Sequence, residues 1–463
     1  MKKIITHLIL LFSITTNAQD ISGKWSGIIE SGKSEPVVFN FTFENSGEEY
    51  STIIDIPALR VANLKPKETV FSKEELVIDG SNLGFKYRGT FKKESQLIEG
   101  TFTEGLNALP LVLKKVHIDT KITFKRPQEP VKPYPYIEEE ITFYNKEADI
   151  TLAGTLTLPS KTGKYPVVIL ISGSGPQDRD ETFYEHKPFL VLSDYLTRLG
   201  IGVLRYDDRG VGKSSGDHSM ATTKDLASDV TCAVNYLKSR NEVNKIGLIG
   251  HSEGAIIAPM VANLNKKVSF IVMLGGSGIS GSEVSLYLAK KTRGFPVQDE
   301  AAYDLAIKKA IKIAAANKDL ATIKKELRIH YDEAIVPMLK PIINSEVKIS
   351  AIITNLIEMR TTPWNRYFYN YNPANELQKM TCPVLALNGS KDTQVQPEIN
   401  QAGIRNALNK GHNKDFTIDE IPNLNHLFQE CETGEMNEYS AITQTIAPSV
   451  LKQMSDWILV RSK

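Results

Sequence analysis

Cysteine is scarce in this sequence: Cys232, Cys382 and Cys431 are the three among 463 residues. They are too few and too scattered for a disulfide framework, and none stands in a C-x-x-C pair of the metal or redox kind. One bridge is arithmetically possible, but three buried free thiols are the expectation. An excess of either charge is also lacking, with 55 basic against 54 acidic residues and a net charge of +1. Such balance leaves no footprint for nucleic acid or for an anionic membrane surface. No apolar run reaches the roughly eighteen to twenty residues of a membrane-spanning helix, so stable membrane insertion is not expected. H-E-x-x-H, EF-hand and paired Cys/His spacings are missing, and with them any expectation of a metal or other cofactor. Gly210-Val211-Gly212-Lys213-Ser214 looks like the end of a phosphate loop. The glycine that G-x-x-x-x-G-K-[ST] requires at position 207 is Asp207, however, so nucleotide binding is not supported.

What is present is an ordinary globular composition, 41% apolar and 24% charged, in a chain long enough for two to four units at roughly 150 residues each. Residues 1–18 read as an export signal. Lys2 and Lys3 precede an apolar run from Ile4 to Ile14, and Thr16-Asn17-Ala18 offers a small-residue cleavage site. An exported, periplasmic or secreted protein is expected. From 19 to 125, short alternating runs such as Val37 to Phe43 and Gly84 to Phe91, punctuated by turn residues, predict an antiparallel β domain, sandwich or half-barrel. Residues 126–136 carry four prolines within Arg126 to Pro135 and read as a stiff linker. Beyond it come continuous apolar runs: Val167 to Ile171, Gly202 to Tyr206, Ile246 to Ile249, Phe270 to Leu274 and Val384 to Leu387. Amphipathic helices separate them, and two alternating segments, Ile137 to Tyr144 and Ile150 to Leu158, come first. This pattern predicts a doubly wound, mostly parallel α/β sheet with antiparallel edge strands over 137–463. An Ala/Lys/Leu/Ile-rich stretch at about 278–371 interrupts it and reads as a helical insertion, too long for a loop.

The chemistry is concentrated at a few places. Strand Ile246 to Ile249 runs into Gly250-His251-Ser252-Glu253-Gly254 and then into the apolar helix of Ala255 to Ala258. This is G-x-S-x-G in its strand–turn–helix context, where tight packing demands small flanking residues and lifts the serine above the sheet. Ser252 is therefore the candidate nucleophile. A base and its orienting acid should follow it in the order acid, then histidine. His330 lies in the helical insertion and reads as a surface or lid residue, and His412 lies in a polar loop. His426 follows the strand Phe416 to Ile421, where the base must be, and Asp392 closes the preceding strand. The oxyanion hole should draw one amide from Glu253 and one from the loop Ser172 to Asp180, with Ser174 first and Gly175 second. Trp364, Tyr367, Phe368 and Tyr369 form an aromatic cluster in the insertion, suited either to lining a substrate site or to ordinary packing.

At these residues the chain resembles the α/β-hydrolase superfamily, and within it a group of two-domain bacterial carboxylesterases with an N-terminal β domain and a serine aminopeptidase S33-like hydrolase domain. The matching segments are Trp25-Ser26-Gly27, the loop Ser172 to Asp180, Tyr206 to Ser214, the Gly250 to Gly254 elbow, Cys382 to Asp392 and Asn425-His426. The resemblance implies a helical cap and hydrolysis of small-molecule esters of short acyl chains by Ser252, His426 and Asp392. Serine peptidases share the elbow and triad, so an aminopeptidase-type activity stays open. So does a glycan- or partner-binding role for the β domain, with hydrolysis secondary. Oligomeric state has no signature in the sequence.

Overall fold

The computed structural model describes residues 20–29, 37–47, 49–56, 61–80, 83, 85–104, 107–116, 126–293, 295–343, 345–439 and 441–462. The export signal expected over 1–18 and the junction expected near 125 lie outside these residues. The chain divides into two compact units, Met1–Thr123 and Phe124–Lys463.

In the first unit the alternating segments become β1 (Gly23–Ile29), β2 (Val37–Asn45), β3 (Tyr50–Ile56), β4 (Val61–Leu64), β5 (Glu68–Ser72), β6 (Glu75–Gly80), β7 (Phe85–Lys92), β8 (Leu97–Glu104) and β9 (Asn107–Lys115). Among the described residues they form one antiparallel sheet ordered β4-β3-β2-β1-β9-β8-β7-β6-β5. The sheet curls until Thr52 on β3 and Thr69 on β5 bring their buried hydroxyls within 2.7 Å. Alternate side chains point inward, as in β7, where Phe85, Tyr87 and Phe91 are buried and Lys86, Arg88 and Lys92 are exposed. Trp25, Phe41, Phe43 and Tyr87 fill the interior. Their polar atoms are satisfied: Trp25 Nε1 donates to the Ile21 carbonyl at 2.8 Å, and the Tyr87 hydroxyl to that of Leu111 at 3.1 Å.

The second unit is built on β10 (Ile137–Asn145), β11 (Ile150–Leu158), β12 (Tyr165–Ile171), β13 (Gly202–Tyr206), β14 (Val243–His251), β15 (Val268–Leu274), β16 (Val384–Gly389) and β17 (Phe416–Ile421). Their order is β10-β11-β13-β12-β14-β15-β16-β17, antiparallel through β10 and β11 and parallel from β13 onward. Helices Thr223–Lys238, Glu253–Leu264 and Pro397–Lys410 cover one face. Pro188–Arg198 and Pro448–Arg461 cover the other. Both faces are thus dry, which is why the parallel strands read as unbroken apolar runs. Between β15 and β16 the chain is helical, at Gly281–Lys291, Glu300–Ala314, Leu320–Ala334, Val336–Leu339, Glu346–Arg360 and Pro363–Asn370. This layer has its own core around Leu327, Tyr331 and Ile353.

Three expectations change here. His330 is not a surface residue: it is 5% exposed in the core of the helical layer, with Nε2 2.8 Å from the Ala306 carbonyl. The proline-rich stretch is not a free-standing spacer either. Arg126 donates to the carbonyls of Ile442 (2.6 Å) and Tyr184 (2.9 Å), and Gln128 to that of Ile446 (2.7 Å). The Tyr136 hydroxyl donates to Asp194 at 2.9 Å, so the segment is part of the second unit. Cys232, Cys382 and Cys431 are free thiols and half-buried rather than buried. No described helix is long and apolar enough to cross a membrane.

Candidate active site

The site grows from the turn between β14 and the helix Glu253–Leu264. Ser252 occupies it at φ +52° and ψ −111°, a left-handed conformation that costs a non-glycine residue roughly 1–3 kcal/mol. The surroundings enforce it. A Cβ at Gly250 would lie 2.0 Å from the Gly254 carbonyl oxygen, and one at Gly254 would lie 2.1 Å from that of Ile171. The Ser252 amide donates to the Leu274 carbonyl at 2.8 Å, pinning the turn to β15.

Asp392 and His426 arrive on the loops after β16 and β17. The structure brings them together: His426 Nδ1 lies 2.7 Å from Asp392 Oδ2, with both side chains buried. The other carboxylate oxygen accepts from the Gln394 and Val395 amides, each at 2.8 Å. Asn425 shapes the histidine's turn, its side-chain Oδ1 accepting from the Leu427 and Gln429 amides at 3.0 and 2.9 Å. Ser252 and His426 line one cavity of about 260 Å³.

Of the expected oxyanion donors, Ser174 and Glu253 line that cavity and Gly175 does not. Among the described residues the amides of Ser174 and Glu253 donate to no protein group, whereas that of Gly173 is taken by Glu181 Oε1 at 2.7 Å. The loop carrying Ser174 is held firmly. The Arg179 guanidinium grips Asp207 at 3.0 and 2.7 Å and Glu140 at 2.9 Å, and Arg205 pairs with Asp180. Lys213 and Ser214, from the phosphate-loop look-alike, serve the same scaffold. The Lys213 amide donates to Asp207 Oδ2 at 3.2 Å, and the Ser214 hydroxyl donates to the Asp207 carbonyl at 2.6 Å.

The aromatic cluster divides by helical phase. Trp364 and Phe368, four residues apart on Pro363–Asn370, share a face, stack at 4.8 Å and line the cavity. Tyr367 instead stacks on Tyr371 at 6.0 Å, away from the lining. Tyr369 turns into the core of the helical layer, where Arg360 donates to its hydroxyl at 3.3 Å. Reading the sequence missed Glu181, His251, Ile256, Val284 and Val395, all of which line the cavity. Apolar wall residues carry no signal beyond hydrophobicity, and Glu181 has none beyond following the Ser172 to Asp180 loop.

Buried carboxyls lie in and around the site. Glu253 Oε1 accepts from the Thr223 hydroxyl and from Trp364 Nε1, both at 2.7 Å. Burial pushes the Glu253 carboxyl up, opposed by hydrogen bonds from Thr223, Trp364 and Ser174. Asp208 accepts from the Ser172 hydroxyl at 2.9 Å and the Gln177 amide at 3.0 Å. Burial raises it to about 8, with the nearby Glu253 and Glu181 carboxylates contributing. A raised acid means the folded state holds a proton that the unfolded state has lost. Stability should therefore fall as pH rises from about 4 to about 8. Asp208→Asn is expected to flatten that slope by up to about 1.4 kcal/mol per pH unit, measured by urea unfolding across the window. Parallel slopes for the two proteins would refute the assignment. Among the described residues no group of three or more His, Cys, Asp or Glu side chains is placed to hold a metal ion.

Sheet order, elbow and helical layer define the class of fold: the second unit has the α/β-hydrolase architecture. Residues 186–333, from just before the first helix into the helical layer, match the family described as serine aminopeptidase, S33. The chain is 26% identical over 311 residues to esterase EstD of Thermotoga maritima, an alignment covering 66% of this chain and 64% of that one. It thus spans somewhat under two thirds of the length of that relative. A protein of Shewanella hanedai described as an acyl transferase is 38% identical over 89 residues, 19% of this chain and 28% of its own. Among solved structures, an esterase of Pyrococcus furiosus superposes on 70% of this chain and 91% of its own at 15% identity and a TM-score of 0.43.

Proposed function

We propose that the protein is a serine hydrolase of carboxylic esters with short acyl chains. The observation that carries the proposal is the buried His426–Asp392 pair at 2.7 Å, whose histidine lines one cavity with a serine held at φ +52°. In this reading His426 Nε2 takes the Ser252 proton, and Ser252 Oγ attacks the acyl carbonyl carbon. The amides of Ser174 and Glu253 receive the developing oxyanion. The C–O bond to the alcohol then breaks, the alcohol leaves with the proton from His426, and water activated by the same ring releases the acid. Asp392 holds the ring with Nδ1 protonated, so that Nε2 is free to accept.

The esterase name of the Thermotoga maritima relative supports ester over amide substrates. The deciding experiment compares p-nitrophenyl esters of two to twelve carbons with aminoacyl anilides. Turnover should be highest at about two to six carbons and at background for the anilides. Preferential anilide cleavage would overturn the ester reading.

Phe368 tests the wall. It is 8% exposed and stacked on Trp364, so Phe368→Ala should enlarge the cavity and cost about 3 kcal/mol of stability. The preferred acyl chain should lengthen by about two to four carbons. An unchanged chain-length profile would place the acyl group elsewhere.

A further inference from the structure

Two buried side chains beside Ser252 are unused by the chemistry above, and with Glu181 ionised their hydrogen bonds do not close for a neutral imidazole. His251 Nδ1 lies 2.9 Å from Glu181 Oε1, and its Nε2 lies 3.0 Å from the main-chain oxygen of His426. A carboxylate and a carbonyl only accept. A neutral ring has one N–H and would set its other nitrogen's lone pair against an oxygen. An imidazolium has two N–H groups and satisfies both. His251 and Glu181 are 8% and 4% exposed, so a lone charge on either would be costly, whereas opposite charges in contact offset each other.

The pair reaches every part of the site. Glu181 Oε1 also accepts the Gly173 amide, which leaves Ser174 as the next amide of that loop. Glu181 itself is held at φ +51°, its amide donating to the Asp178 carbonyl at 2.9 Å. His251 immediately precedes the nucleophile and donates to the backbone of the residue proposed as base. One carboxylate and one ring therefore connect the oxyanion loop, the elbow and the base loop.

We propose that Glu181 and His251 form a buried carboxylate–imidazolium pair that positions the oxyanion loop and the base loop around Ser252. Both are then positioning residues, and as such they rest on the reading of the site as a serine hydrolase. The groups facing His251 are Glu181 after β12, Asp392 after β16 and the His426 ring after β17, whose centroid is 4.8 Å away. Burial disfavours a charged His251 ring, but the Glu181 carboxylate, the His426 carbonyl and the nearby Asp392 together outweigh it and hold the ring above the ordinary imidazole range. A raised histidine keeps its proton below that range and loses it as pH rises through the raised value. The clamp, and with it turnover, should fail on the alkaline side while KM stays nearly constant.

The test is a ¹⁵N–¹H correlation spectrum of the imidazole nitrogens in the wild-type protein, with His251→Gln for assignment. At pH 7 both ring nitrogens of His251 should carry protons; a neutral tautomer there overturns the pair. Glu181→Gln keeps an acceptor for Gly173 and His251 but removes the charge. It should leave His251 neutral at pH 7 and move the alkaline limb of kcat down by about one pH unit or more. kcat should fall about 10- to 100-fold with KM little changed. A wild-type pH profile in that variant overturns the positioning role. The spectrum needs only the wild-type fold, so it decides even where Glu181→Gln does not accumulate. Absence of ester turnover in the wild type would sink the functional reading while leaving the pair to be judged by the spectrum.

Discussion

Ser252→Ala is expected to lower kcat for a short-chain ester by about a millionfold, with KM changed little, and to abolish labelling by a fluorophosphonate. The size follows from the role. Under the proposed mechanism, no acyl-enzyme forms without Oγ, and the buried His426–Asp392 pair has no proton to take. Folding should survive, because alanine tolerates φ +52° no worse than serine and the Ser252 hydroxyl is not what holds the turn. The turn is held by the Ser252 amide on Leu274 and by the close backbone approaches at Gly250 and Gly254. Ser252→Gly carries the same kinetic loss but relieves the left-handed strain, and should be more stable than the alanine variant by about 1 kcal/mol. Labelling of Ser252→Ala equal to wild type would move the nucleophile elsewhere.

The elbow is legible in the sequence because local chemistry dictates it. Two glycines around one serine, between an apolar run and an apolar helix, leave little else for the backbone to do. The parallel strands were legible for a related reason, since burial on both faces demands uninterrupted apolar residues from Val167 to Ile171 and from Phe270 to Leu274. That Asp392 and His426 stand after successive strands, close enough to pair, was legible from strand order. What was hidden depends on contacts between distant segments or on helical phase. Glu181 and His251 are 70 positions apart, and no pattern at either site announces the other. Arg126 finds its carbonyl partner 316 residues downstream, which makes a proline-rich stretch an integral strap rather than a spacer. Tyr367 and Phe368 are adjacent in sequence, yet they point to different places because one residue on a helix is a turn of about 100°. His330 looked exposed on an amphipathic helix, but the helical layer has a core of its own, and the Ala306 carbonyl satisfies the ring there.

Asp392→Asn is the sharper test of the site, because it changes one atom and leaves the packing intact. In the wild type, Oδ1 accepts two amides, from Gln394 and Val395, and Oδ2 accepts the proton on His426 Nδ1. An asparagine has one acceptor and one donor to place. Turning its NH₂ toward the two backbone amides would set donors against donors at 2.8 Å, so its oxygen must take that side. The NH₂ then faces His426 Nδ1, which has to become an acceptor, and the ring proton moves to Nε2. A ring protonated at Nε2 cannot take the proton of Ser252. The expected result is a fall in kcat of about 10⁴ at neutral pH. The fold and the cavity should be unchanged, and labelling by fluorophosphonate should slow by a similar factor rather than vanish. The variant separates orientation from charge, since Asp392→Glu keeps the charge but displaces it by one methylene from two amides that fix it. If Asp392→Asn retained more than about a tenth of wild-type turnover, the carboxylate would be structural and the orienting acid would have to be sought elsewhere around His426.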